Sequence, residues 1–109
     1  MNAAAQAKYK KQARILKALA HPTRLFIVDE LARGERSVRE LTDMIGVEMP
    51  TVSRHLSVLR NAGILADDKR GLQVFYRLRV PCVLKFFECV EAVQRNGCKS
   101  AKRTRGKCL

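Results

Sequence analysis

Residues 37–76 constrain the fold of this chain more than any other stretch. Ser37 and Glu40 stand at S-x-x-E spacing, in which each side chain satisfies a backbone N–H that the start of a helix leaves free. Val38, Leu41 and Ile45 then recur as the apolar face of a short helix. Gly46-Val47 turns the chain, and Pro50 suits the first turn of a second helix whose apolar positions are Val52, Leu56 and Leu59. Gly63 ends that helix, and residues 64–68 and 72–79 read as strands around a basic tip, Lys69-Arg70-Gly71. A short helix, a tight turn and a second helix with a polar face form the arrangement that lays one helix in a DNA major groove. A hairpin directly downstream then reads as a wing.

The flanking segments complete the expected architecture. Residues 1–7 read as frayed, and a first helix is expected over 8–19, with Ile15, Leu16 and Leu19 inward and Lys8, Lys10, Lys11, Arg14 and Lys17 mostly outward. His21-Pro22-Thr23 breaks it, because the residue before a proline leaves helical geometry. Pro22 starts another helix through Leu25, Val28 and Leu31, ending near Gly34. A last helix is expected from Pro81 to about Arg95. It carries Cys82, Phe86, Cys89 and Val93 in one stripe, widened by Val83 and Val90. That stripe suits either pairing with a second copy or packing within the monomer. The expected fold is mainly α with a small β-hairpin wing (α+β): four helices, two strands and a final helix, over residues 1–96. Residues 97–109 hold five Lys or Arg, no acid and no apolar periodicity, and read as a basic, flexible tail containing Cys98 and Cys108.

Charge and size bound the partners. At 109 residues the chain is one small domain, for which dimerisation adds buried surface. A formal net charge of +12 favours a polyanion, with nucleic acid the default and a basic surface kept for solubility the plain alternative. No apolar run approaches the ~20 residues of a membrane span. Residues 1–11 have no apolar signal core, so the expected compartment is the cytoplasm, where cysteines stay as thiols. There is no Gly-rich phosphate loop, no apolar-set carboxylate pair and no nucleophile–base set, so no enzymatic role is expected.

With Val52, Leu56 and Leu59 buried, the opposite side of the second helix of the motif carries Pro50, Arg54 and Ser57, flanked by Thr51, Ser53 and Arg60. Arginine can bond a guanine edge in two places, and serine or threonine can bond base or phosphate. His55, beside the buried stripe, reads as a packed or phosphate-touching residue rather than a metal ligand. The candidate DNA-binding set is therefore Thr51, Ser53, Arg54, His55, Ser57 and Arg60, with Lys69 and Arg70 from the wing. A basic RNA-binding or chromatin-like protein without an inducer is the rival reading, and it predicts weak sequence preference.

Three blocks carry a resemblance. They are residues 16–25 (LKALAHPTRL), residues 51–65 with Thr51-Val52-Ser53-Arg54-His55-Leu56 and Leu59-Arg60-Asn61-Ala62-Gly63-Ile64-Leu65, and residues 71–78 with Phe75-Tyr76-Arg77-Leu78. In order and spacing they resemble the ArsR/SmtB family of winged-helix repressors over roughly residues 13–80. The resemblance implies a homodimer joined through the first and last helices. It also implies operator binding without inducer, and release when a metal ion, metalloid or oxidant acts on cysteines or other ligands.

The inducer is less plainly written. The cysteine pair of the founding arsenic sensors would fall at Ser37 and Arg39 here. Residues 81–95 carry Glu88 and Glu91 but no histidine for a zinc-type site, and residues 50–62 contain no cysteine for a cadmium or lead site. Cys82, Cys89, Cys98 and Cys108 remain. Cys82 and Cys89 lie about 10 Å apart along a helix, too far to chelate one ion within a chain. If two last helices cross antiparallel near Phe86, Cys82 of one chain would face Cys89 of the other. Thiolates select thiophilic ions, so trivalent arsenic, inorganic or methylated, or antimony is the expected inducer. Neighbouring Lys99, Lys102, Arg103, Arg105 and Lys107 favour thiolate at Cys98 and Cys108, which makes a redox or persulfide switch the rival. Packing on the apolar stripe is the alternative role for Cys82 and Cys89.

Overall fold

A computed structural model describes residues 1–96. Its elements in order are α1 (Ala3–Leu19), α2 (Pro22–Leu31), β1 (Arg36–Ser37), α3 (Val38–Ile45), α4 (Met49–Asn61), β2 (Leu65–Arg70), β3 (Gln73–Leu78) and α5 (Val83–Asn96). This is the expected winged helix-turn-helix with one added strand. β3 is the centre of an antiparallel sheet ordered β1-β3-β2, with Arg36 opposite Tyr76 and Leu65 opposite Leu78. Two residues are too few to show a period-2 pattern, so β1 could not be read from sequence. It exists because β3 offers its free edge.

Local chemistry sets the ends of the motif. Ser37 Oγ accepts from the Glu40 N–H at 3.1 Å while Glu40 Oε1 accepts from the Ser37 N–H at 2.8 Å, closing the capping box. α3 stops at Gly46, whose φ of 83° is a left-handed value that glycine adopts without strain. At the end of α4, the Ile64 N–H reaches back to the Leu59 carbonyl at 3.0 Å and the Gly63 N–H to that of Arg60 at 2.9 Å. That pair of bonds satisfies carbonyls the helix end leaves open and turns the chain directly into β2.

The core is built by the two faces expected of the motif. Leu41 of α3 and Val52, Leu56 and Leu59 of α4 are fully buried against Ile27 and Val28 of α2, with Leu65 and Tyr76 closing the core from the sheet. Fully burying a side chain of this kind stabilises the fold by roughly 1.5–3 kcal/mol, so these residues fix where the solvent face of α4 points.

Several expectations need correction. α1 begins at Ala3, not Lys8: Asn2 caps it by accepting from the Ala5 N–H at 2.8 Å, and the alanines that follow are strong helix formers. α2 ends at Leu31, short of Gly34. Ile15 and Leu16 are not in the core but about half exposed, and only Ala18 and Leu19 of α1 are buried. β2 runs through Lys69 and Arg70, so the hairpin turns at Gly71-Leu72 and not at Lys69-Arg70-Gly71. Cys82 lies in the turn before α5 rather than in the helix. The basic-tail reading of residues 97–109, with Cys98 and Cys108, lies outside the described residues.

Candidate nucleic-acid interface and exposed thiols

α4 is anchored on one side and free on the other. Arg54 and Arg60 are exposed, and Thr51, Ser53 and Ser57 are partly so. At helical spacing, Pro50, Arg54, Ser57 and Asn61 form the outward row, so the fold brings most of the expected set together on one face. Asn61 escaped the sequence reading although its distance of seven residues from Arg54 marks it. Arg54 makes no ion pair among the described residues. It is therefore free for an external acceptor.

The other expected contacts are differently engaged. Arg60 leans toward the wing, its Nη1 at 3.1 Å from Asp67 Oδ2. Lys69 is exposed near the end of β2. Arg70 donates through both terminal nitrogens to Glu35 at 2.9 and 2.8 Å and through Nε to Asp68 at 2.9 Å, and its guanidinium lies 4.6 Å from the centre of the Phe75 ring. These bonds raise its pKa above the ordinary value and tie the wing to the segment between α2 and β1. The two-pronged arginine–carboxylate geometry is the strong form of this interaction. Glu35 was not singled out by sequence, since its partner lies 35 residues away.

His55 sits on the flank of α4 that meets α2. Its Nδ1 accepts from Arg24 Nε at 3.1 Å, and its ring centre lies 4.5 Å from that of His21. His21 in turn caps α2, its Nδ1 accepting from the Thr23 N–H at 3.1 Å. Burial lowers the His55 pKa, and the nearby charges of His21, Arg24 and Arg54 lower it further. Of the two roles expected for this histidine, packing and phosphate contact, these bonds describe the packing within the protomer.

The α5 stripe faces outward. Phe86, Val90 and Val93 are 45%, 42% and 49% exposed, while Val83 and Phe87 pack against the core. Leu16, Leu25 and Phe26 of α1 and α2 are also exposed, and with Phe86 and Val90 they line an apolar groove of about 490 Å³. An uncovered apolar surface of this kind marks a partner site. Cys82 and Cys89 are exposed and form no disulfide among the described residues. Among the described residues, no group of three or more His, Cys, Asp or Glu side chains converges as a metal site.

Comparison with known proteins agrees with this geometry. Residues 21–67 match the model of the bacterial regulatory protein, arsR family. The biofilm growth-associated repressor of Agrobacterium fabrum is 42% identical over 79 residues, covering 72% of this chain and 68% of that protein. The repressor of the same name from Xylella fastidiosa is 48% identical over 66 residues, covering 61% of this chain and 58% of that protein, so the match spans little more than half of its length. Among solved structures, the homodimeric winged helix-turn-helix DNA-binding domain from Mycobacterium bovis superposes with a TM-score of 0.76 at 30% identity, covering 92% of this chain and 93% of that one. With capping box, core face and wing in matching order, this chain belongs to the ArsR family of bacterial regulatory proteins.

Proposed function

We propose that this protein is a homodimeric transcriptional repressor of the ArsR type that binds operator DNA through α4 and the wing. The observation that carries the reading is the free face of α4: Arg54 unpaired, Ser53, Ser57 and Asn61 beside it, and a buried row behind it that sets its direction. The net charge of +12 supports a polyanionic partner. The exposed apolar faces of α1 and α5 support the dimer, which would present two copies of α4 to half-sites about one DNA turn, roughly 34 Å, apart. Arg54→Ala is expected to weaken operator binding and to relax sequence preference, costing about 1–3 kcal/mol of discrimination if it grips a guanine. Anisotropy titrations with the protein's own promoter and with scrambled DNA measure both effects. A variant with full specific affinity removes Arg54 from the reading set.

The inducer we assign is trivalent arsenic, inorganic or methylated, or antimony, bound by thiolates drawn from Cys82, Cys89, Cys98 and Cys108. Support comes from Cys82 and Cys89, both exposed, for which packing within the protomer is no explanation. Each thiol that binds arsenite displaces one hydroxide, which leaves as water with the thiol proton. Ligation across two subunits would favour a dimer geometry that no longer matches the operator spacing. A thiol redox or persulfide switch has the same support, because exposed thiols also meet oxidants. Separate additions of arsenite, antimonite and peroxide to the protein–operator complex distinguish these readings. If none of them releases DNA, the cysteines are not the sensor.

A further inference from the structure

The two flanks of α4 differ in charge. On the wing side, Arg60 meets Asp67, and Arg70 meets Glu35 and Asp68, while Lys69 and Arg77 form no ion pair among the described residues. Across the helix, α1 and the start of α2 approach the C-terminal half of α4. They leave a cavity of about 350 Å³ lined by Arg14, Lys17 and Arg24 over Ala18, Val58 and Ala62, with Asn61 at its side. Three of the lining residues are cations and none is an acid.

Each cation is available. Arg14 and Lys17 are exposed and form no ion pair among the described residues. Arg24 is held in place: its Nε donates to His55 Nδ1 at 3.1 Å and its Nη1 to the Ala18 carbonyl at 3.4 Å. Its Nη2 has no partner among the described residues. Asn61, the last residue of the outward row that contains Arg54, also lines the cavity, so the cavity adjoins that row.

We propose that Arg14, Lys17 and Arg24 form a phosphate-binding flank that grips the duplex backbone on the side of α4 away from the wing. The proposal rests on the DNA-binding reading above. A helix in the major groove lies between two phosphate strands, and contacts to both fix its register. Arg60 and Arg70 are engaged by carboxylates, whereas this cavity gathers three cations and no acid, which suits it to supply counter-charge for one strand. A pre-held guanidinium beside two exposed cations suits phosphate oxygens, which arginine can bind in two places. Such contacts are blind to base order. They set affinity and salt dependence and leave specificity to Arg54 and its neighbours.

The test is a double variant, Arg14→Ala with Lys17→Ala, measured by anisotropy against the promoter duplex and a scrambled duplex over a range of salt. Both residues are exposed, so circular dichroism should match the parent. Removing two phosphate contacts from each protomer, four per dimer, at ~0.9 counterion each should flatten the slope of log K against log [salt] by about 3.6. Affinity at moderate salt should fall on the order of a hundred- to ten-thousandfold, equally on both duplexes, with the ratio between them kept. Arg14→Lys with Lys17 intact keeps both charges and should keep the parent slope. An unchanged slope and affinity overturn the proposal, as does a loss confined to the promoter duplex. Tight binding of free pyrophosphate by the parent, together with unchanged DNA affinity in the double variant, also overturns it in favour of a small-anion site. If the parent itself shows no preference for the promoter, it is the repressor reading that fails, and the salt slope still tests the flank.

Discussion

Phe86→Ala is expected to weaken self-association about a thousandfold. Phe86 is 45% exposed on α5, at the rim of the apolar groove shared with α1 and α2. A phenylalanine side chain presents roughly 200 Å², so about 90 Å² remains open in each protomer. A two-fold dimer covers that area twice, about 180 Å² in all. At ~25 cal/mol per Å² this amounts to about 4.5 kcal/mol, and at about 1.4 kcal/mol per tenfold to some three orders of magnitude in the dimer Kd. Sedimentation velocity over a dilution series, with the parent beside the variant, measures it. Leu72→Ala is the control: Leu72 is as exposed as a side chain can be, yet it stands at the wing tip, away from the groove. A parent that stays monomeric at tens of micromolar would refute the reasoning, and so would a Phe86→Ala dimer indistinguishable from the parent. An equal effect from Leu72→Ala would show that apolar exposure alone, not its place on α5, governs association.

Leu56 is fully buried, so Leu56→Ala should cost about 3 kcal/mol and lower the melting temperature by more than about 10 °C; a loss under ~1 kcal/mol would mean α4 is not locked by its inner face. Ser37→Ala removes one half of the capping box and should cost about 1 kcal/mol in urea denaturation, with no change in the slope against denaturant. The His55 pKa is lowered chiefly by burial and then by His21, Arg24 and Arg54, so the folded state resists a proton that the unfolded chain accepts near 6.5. Stability from this residue is therefore full above that value and is lost as pH falls from there towards the lower folded pKa. Melting curves between pH 5 and 8 should show the decline, and His55→Gln should flatten it.

The motif was legible because its signals are local. Ser37 and Glu40 lie three residues apart, Gly46 and Gly63 mark positive-φ positions directly after helices, and Val52, Leu56 and Leu59 repeat at helical spacing. These features place the two helices, the turn and the outward row of Arg54 and Ser57 without reference to the rest of the chain. Ile15 and Leu16 failed the same method. A period of 3.6 tells which residues share a face, not whether the covering element belongs to the same protomer.

What the chain alone determined is the order of elements, the polar row on α4, the excess of positive charge and the absence of a cysteine pair at Ser37 and Arg39. Only tertiary structure decided which charges are spent. Arg70 and Arg54 look alike in sequence, but Glu35, brought across 35 residues, holds one while the other has no ion pair among the described residues. The same holds for Arg14, Lys17 and Arg24, which sequence scatters over two helices and folding gathers beside α4. Helix caps and periodicity are short-range and written in neighbouring residues, whereas ion pairing and groove formation depend on distances that exist only once the core has closed.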